Sequence, residues 1–173
     1  AVAFHAVGVM QEYFADTPKK IKDRKYDILY TTWIDDAIQP GRSEWICRLC
    51  SLSDRYTVHI DKNLKYPEYI ALLRDSKLVL SYSRHGSIAV RVADAGAQGA
   101  IVLDPGEEIK QYFTPNEEYI PITEKDFAEQ IEWYLKNEKT LQEMSDKFYK
   151  KVTENFEARK RFIEMLRFAE KCL

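Results

Sequence analysis

The chain has 173 residues, 45% of them hydrophobic and 13% aromatic, with a formal net charge of −2. That supplies a packed core for one domain, or for one domain and a fragment of another. Acids and bases are interspersed, which argues against nucleic acid or an anionic membrane surface as partner, and no apolar run approaches the roughly 20 residues a membrane-crossing helix needs.

Residues 1–25 open with an apolar run, Ala1–Met10, and turn polar by Thr17-Pro18-Lys19-Lys20, which reads as a strand and linker leading into the domain proper. The opening AVAFHAVGVM has neither an initiator Met nor the pattern of a signal peptide, so an internal cut in a longer protein is expected. Tyr26–Trp33 predicts a strand, followed by a loop over Ile34–Gly41 ended by Pro40-Gly41. Ser43 then caps a helix over Ser43–Leu52 with Trp45, Ile46 and Leu49 as apolar positions. Tyr56–Ile60 alternates and predicts a short strand, and Tyr66–Arg74 predicts a helix entered through Pro67.

The stretch Lys77–Pro105 is the most informative. It predicts a buried strand over Leu78–Ser83, a loop at Arg84-His85-Gly86, a helix over Ser87–Ala97, a stop at Gly99 and a second buried strand over Ala100–Asp104. The rest predicts a short helix over Glu107–Phe113, a short strand over Tyr119–Ile122, and helices over Glu124–Asn137, Thr140–Thr153 and Glu157–Leu173. Leu141, Met144, Phe148, Phe162, Met165, Leu166 and Ala169 form the inward stripe of the last two, with Asn155 at the break between them.

Strands alternating with helices imply an α/β fold, a Rossmann-like doubly wound parallel sheet of about five strands with a helical C-terminal region. The expected divisions are 1–25 interdomain strand and linker, 26–155 Rossmann-like domain, and 156–173 closing helix. Ligands of such sheets bind beyond the carboxyl ends of the strands, here the loops 34–42, 61–66, 84–87 and 105–107.

Within the Ser87–Ala97 helix nearly everything is Ala, Val, Ile or Gly. The hydrophilic exceptions at Ser87, Arg91, Asp94 and Gln98 fall on one stripe. Such a stripe either borders a ligand cleft or lets Arg91 pair with Asp94 at i, i+3 in solvent. His85, Gly86 and Ser87 at the helix start offer backbone N–H groups suited to a diphosphate. Arg42 in an equivalent loop adds a guanidinium suited to phosphate, unless it is a solvated residue after a Pro-Gly turn. Asp94, two turns in, is placed to accept hydrogen bonds from sugar hydroxyls. Lys62 and Lys65 flank another strand exit and either add phosphate charge or lie in solvent. His59 reads as structural.

The chain has three cysteines, Cys47, Cys50 and Cys172, an odd count that favours a reduced, cytoplasmic setting. Cys47 and Cys50 form a C-x-x-C inside a helix rather than at its start, and they read as buried small-residue packing rather than a redox pair. The carboxylate pairs Asp35-Asp36 and Glu107-Glu108 lack a third ligand at readable spacing, so no metal is assigned.

These residues match a known pattern. Arg91-Val92-Ala93-Asp94-Ala95-Gly96-Ala97-Gln98-Gly99 followed by AIVLD resembles R-x-x-E-A-x-A-x-G and its hydrophobic strand ending in Asp. That pattern belongs to the C-terminal, donor-binding domain of GT-B glycosyltransferases. The likeness is closest to the CgeB-like branch of the group 1 glycosyl transferases. Ile109–Phe113 with Glu117-Glu118-Tyr119, the helix over Phe127–Leu135, Arg161-Phe162 and the link Gly8–Pro18 are also similar to that family. The resemblance implies the donor-binding half of an enzyme that moves a sugar from a nucleotide diphosphate sugar to an acceptor. Metal independence, no cofactor beyond the donor, and an N-terminal acceptor domain as partner are implied with it. Arg42, His85, Gly86 and Ser87 would hold the donor diphosphate, and Arg91 and Asp94 its ribose or sugar. Asp94 stands where the family usually has Glu, and no residue here matches a catalytic base. The alternative is a glycosyltransferase-like module without catalysis that serves as a structural or interaction domain. A nucleotide-sugar epimerase or phosphate-binding regulatory domain is disfavoured because no G-x-G-x-x-G follows the first strand.

Overall fold

The computed structural model describes residues 8–32, 41–82 and 88–172. Five strands form one sheet in the order β2-β1-β3-β4-β5: β1 (Tyr26–Thr31), β2 (Val58–Asp61), β3 (Ser76–Leu80), β4 (Ile101–Asp104) and β5 (Ile120–Pro121). Every pairing is parallel, with Leu29 of β1 opposite His59 on one side and Val79 on the other. Strands of such a sheet are covered on both faces and read as unbroken apolar runs. Ile28-Leu29-Tyr30, Leu78-Val79-Leu80 and Ile101-Val102-Leu103 are accordingly all fully buried.

The helices are α1 (Arg42–Cys50), α2 (Tyr66–Arg74), α3 (Val90–Ala97), α4 (Phe127–Lys136), α5 (Glu138–Asn155) and α6 (Ala158–Cys172). The helix α2 begins through Pro67, with the Glu68 carboxylate accepting from the Lys65 backbone N–H at 3.1 Å. The helix α3 ends at Gly99, whose φ of 68° lets the Ala100 N–H reach back to the Ala95 carbonyl at 2.9 Å. Close packing of α3 on α5 depends on Gly96, where a β-carbon would stand 2.4 Å from Val152 Cγ2. Trp45 of α1 meets Phe127 of α4 edge-on at 5.3 Å. The segment before β1 is tied down by Val9, whose N–H donates to the Phe156 carbonyl, and by the buried Ile21. No helix among the described residues is long and apolar enough to cross a membrane.

Three expectations need correction. The helix α3 starts at Val90, not Ser87: Ile88 is buried, and Ala89 has extended angles (φ −67°, ψ 142°). Cys47 and Cys50 are exposed, because Trp45 and Leu49 occupy the inward stripe of α1 and a rotation of about 100° per residue turns both cysteines away. The apolar stripe of α6 is not inward. Phe162 is 55% and Leu166 47% exposed, Ala169 is exposed and Met165 half-buried. Periodicity marks which face of a helix is apolar, and not what covers it.

Candidate functional site

In a doubly wound sheet the chain reverses its direction of growth at one point, here between β1 and β3, and a crevice opens beyond the carboxyl ends there. A cavity of about 310 Å³ lies at that end of the sheet. Thr31 and Thr32 at the exit of β1 form one wall, and Lys62, Asn63 and Leu64 at the exit of β2 another. Tyr66 and Tyr69 of α2 and Arg91 of α3 complete it. The turn that carries the second wall holds Asn63 at a φ of 59°, a left-handed conformation that asparagine tolerates better than most residues.

Arg91 stands in the first turn of α3, where the helix dipole opposes a cation. Other contacts hold it. Its Nη2 donates to the Thr31 carbonyl, and its guanidinium lies 5.6 Å from the centroid of the Tyr30 ring. Its Nε is buried and makes no hydrogen bond. The guanidinium thus borders the cavity with donor capacity to spare.

Asp94, one turn further along α3, lies behind the cavity wall and is 2% exposed. Tyr66 Oη donates to Asp94 Oδ1 at 2.9 Å. Burial pushes the Asp94 carboxyl up to about 6, against the opposing pull of hydrogen bonds from Tyr66 and Tyr69 and the charge of Arg91. Burial, reinforced by the Asp94 charge, holds both phenols well above the ordinary tyrosine range, so they stay protonated donors. A second buried acid, Asp104, ends β4. Burial raises it too to about 6, while the Gly106 N–H, donating to its Oδ1 at 2.7 Å, favours its charge.

The predicted residues divide cleanly. Arg91 and Asp94 come together around the cavity and do not face bulk water as a solvated pair. Lys62 lines the cavity and Lys65 does not. Arg42 opens α1 next to Gly41, whose added β-carbon would stand 2.9 Å from Tyr82 Oη, so it begins beside the exit of β3 rather than in the cavity wall. Gln98 leaves the predicted cleft. At the far end of α3 it accepts from Arg74 Nε at 3.2 Å and donates to the Tyr13 carbonyl. Seven residues of helix separate it from Arg91, about 10 Å along the axis. His85, Gly86 and Ser87 lie outside the described residues, as does Asp35-Asp36. Glu107 forms an ion pair with Lys110, and His59 packs against the Tyr26 ring.

Sequence reasoning missed Tyr66, Tyr69 and the threonines. Two tyrosines at i, i+3 in the first turn of a helix that follows a strand exit were the available signal.

The glycosyl transferase-like family model matches residues 17–167. Among solved structures, the C-terminal domain of a glycosyl transferase group 1 family protein from Francisella tularensis superposes with a TM-score of 0.65 at 11% identity, over 87% of this chain and 99% of that one. Sucrose-phosphate synthase from Thermosynechococcus elongatus gives 0.68 at 12% identity, over 95% of this chain and 51% of its own. Anabaena HepE in complex with UDP-glucose gives 0.67 at 10% identity, over 95% and 56%. This chain therefore spans about half the length of the last two. At these identities the likeness is one of fold. No curated protein matches by sequence.

Proposed function

This chain belongs to the glycosyl transferase-like family, and from that premise we propose that it is the donor-binding half of a glycosyltransferase. It would move a sugar from a nucleotide diphosphate sugar to an acceptor bound by a second, N-terminal domain, without a metal and in the cytoplasm, on the pattern of the CgeB-like branch. The observation that carries this reading is the cavity beside the β1/β3 switch, with Arg91 on its wall and the buried Asp94 behind it.

The chemistry asked of this half is binding and charge stabilisation. As the bond between sugar and diphosphate breaks, negative charge grows on the leaving diphosphate. Arg42 and the first-turn N–H groups at the start of α3 would answer it, and fixed donors in a desolvated site can do so without proton transfer. Arg91 and Asp94 would set the recognition of the ribose or sugar. Arg91 supplies donors, and the buried Asp94 carboxylate fixes the acceptor side of the wall that sugar hydroxyls require. The base that activates the acceptor is assigned to the other domain, so this chain alone is expected to bind donor without turning it over.

Thermal unfolding with UDP, ADP, GDP and dTDP tests the reading. A ligand of the folded state at a hundred times its Kd stabilises by about 2.7 kcal/mol. A melting temperature that rises with one of the four supports a donor site. Indifference to all four replaces it with a structural module of the same fold.

A further inference from the structure

We propose that Tyr66, and not Asp94, is the residue that meets the ribose hydroxyl in this chain, its phenolic oxygen accepting the ligand's hydrogen bond while its own proton is donated to Asp94. The proposal deepens the donor-binding reading and rests on it.

Three observations carry it. Asp94 is 2% exposed, whereas Tyr66 is 38% exposed and lines the cavity. A ligand entering the cavity therefore meets the phenol before the carboxylate. Tyr66 Oη donates to Asp94 Oδ1 at 2.9 Å. A hydroxyl has one proton and two lone pairs, so a phenol committed as donor in one direction is left as an acceptor in the other. Donation to a carboxylate also polarises the O–H bond and makes that oxygen a better acceptor. Finally, the ring is held in place. Tyr13 packs against it edge-on at 4.6 Å and Tyr69 lies 5.8 Å away, so the oxygen is fixed before the ligand arrives. Asp94 is then a positioning residue that orients and polarises the phenol from behind. Burial and the adjoining carboxylate keep the phenol protonated at every physiological pH.

The full chain is titrated with UDP, ADP, GDP and dTDP and with the 2′,3′-dideoxy counterpart of each, in the wild type, Tyr66→Phe and Asp94→Asn. The wild type should prefer the hydroxyl-bearing form of the nucleotide it binds by about tenfold, the scale of one hydrogen bond. Tyr66→Phe should bind both forms equally. Asp94→Asn keeps an oxygen to take the Tyr66 proton and should retain most of the preference. A preference kept in Tyr66→Phe and lost in Asp94→Asn makes the carboxylate the direct contact and overturns the proposal while leaving the donor site standing. A wild type that binds none of the nucleotides overturns both.

Discussion

Asp94→Asn should stabilise the folded chain at neutral pH, by an amount that grows as pH rises. Burial holds the Asp94 carboxyl at about 6 when folded, against an ordinary value of 3.8. The difference of about two units is worth about 3 kcal/mol at 1.36 kcal/mol per unit. Because the folded value is the higher one, the folded chain binds more protons than the unfolded chain between about pH 4 and pH 6. Stability from this group is therefore present at low pH and lost as pH rises through that window. Asparagine has nothing to ionise, and its carbonyl can still take the Tyr66 proton. The stability difference between variant and wild type should then increase by up to about 3 kcal/mol from pH 4 to pH 7, and level off above. Asp104 titrates in the same window and direction, but it is present in both proteins and cancels in the difference. Urea unfolding at pH 4, 5, 6, 7 and 8 measures it. With a slope of about 2 kcal/mol/M, the midpoint of Asp94→Asn should move from near the wild-type value at pH 4 to about 1.5 M above it at pH 7. A difference that is flat with pH, or that shrinks as pH rises, refutes the buried-acid account.

Other outcomes follow from the same contacts. Arg42→Ala should weaken binding of a nucleoside diphosphate by about 1–3 kcal/mol, the scale of a charged hydrogen bond, and leave the bare nucleoside unaffected. Calorimetry with both ligands measures this, and equal loss for the two would remove Arg42 from the diphosphate. Gly96→Ala forces a methyl to within 2.4 Å of Val152 Cγ2 and 3.0 Å of Phe148 Cζ, an overpacking expected to cost about 1–3 kcal/mol. An unchanged urea midpoint would mean that α3 and α5 are further apart. Cys47 and Cys50 are exposed on α1, so a maleimide should label both in the native chain without denaturant. Protection until unfolding would restore the buried reading.

The sheet was legible because burial on both faces writes itself as consecutive apolar residues. ILY in β1, LVL in β3 and IVL in β4 all sit in strands, and α2 runs from Tyr66 to Arg74 as its entry through Pro67 predicts. The start of α3 lies later than expected because Ser87 is a better cap than Ala89 in isolation, yet the chain is still extended at Ala89, past the buried Ile88. The stripe on α3 was half right for a geometric reason. Helical phase says which residues share a face, but it does not say that the face runs past the cleft into the packing around Tyr13, where Gln98 ends. Tyr66 escaped notice because an aromatic at helical spacing looks the same whether it fills a core or donates to a buried acid; only the partner on another helix distinguishes the two. For α6 the missing information is likewise the partner.

The two ends of the sheet treat buried charge differently, and the contrast bears on where a ligand belongs. Near the amino ends, Arg24 is 4% exposed and burial lowers its pKa to about 10, so it remains charged. It is nonetheless well supplied. The carbonyls of Lys19, Ser76 and Gln98 accept from it at 2.8–3.0 Å. That is a structural pin, closed on itself, with nothing left to offer a ligand. At the carboxyl ends the polar groups are not closed. Asp94 and Asp104 are both held above their ordinary values by burial, and Arg91 Nε and Tyr30 Oη are buried without a hydrogen bond. A domain whose net stability is on the order of 5–15 kcal/mol gains nothing from such groups while the site is empty. Apolar replacements there would be expected to raise stability and abolish binding, whereas replacements around Arg24 should lower stability and leave binding alone. That opposition of sign, measured as melting temperature against nucleotide affinity, separates a ligand site from a merely imperfect core.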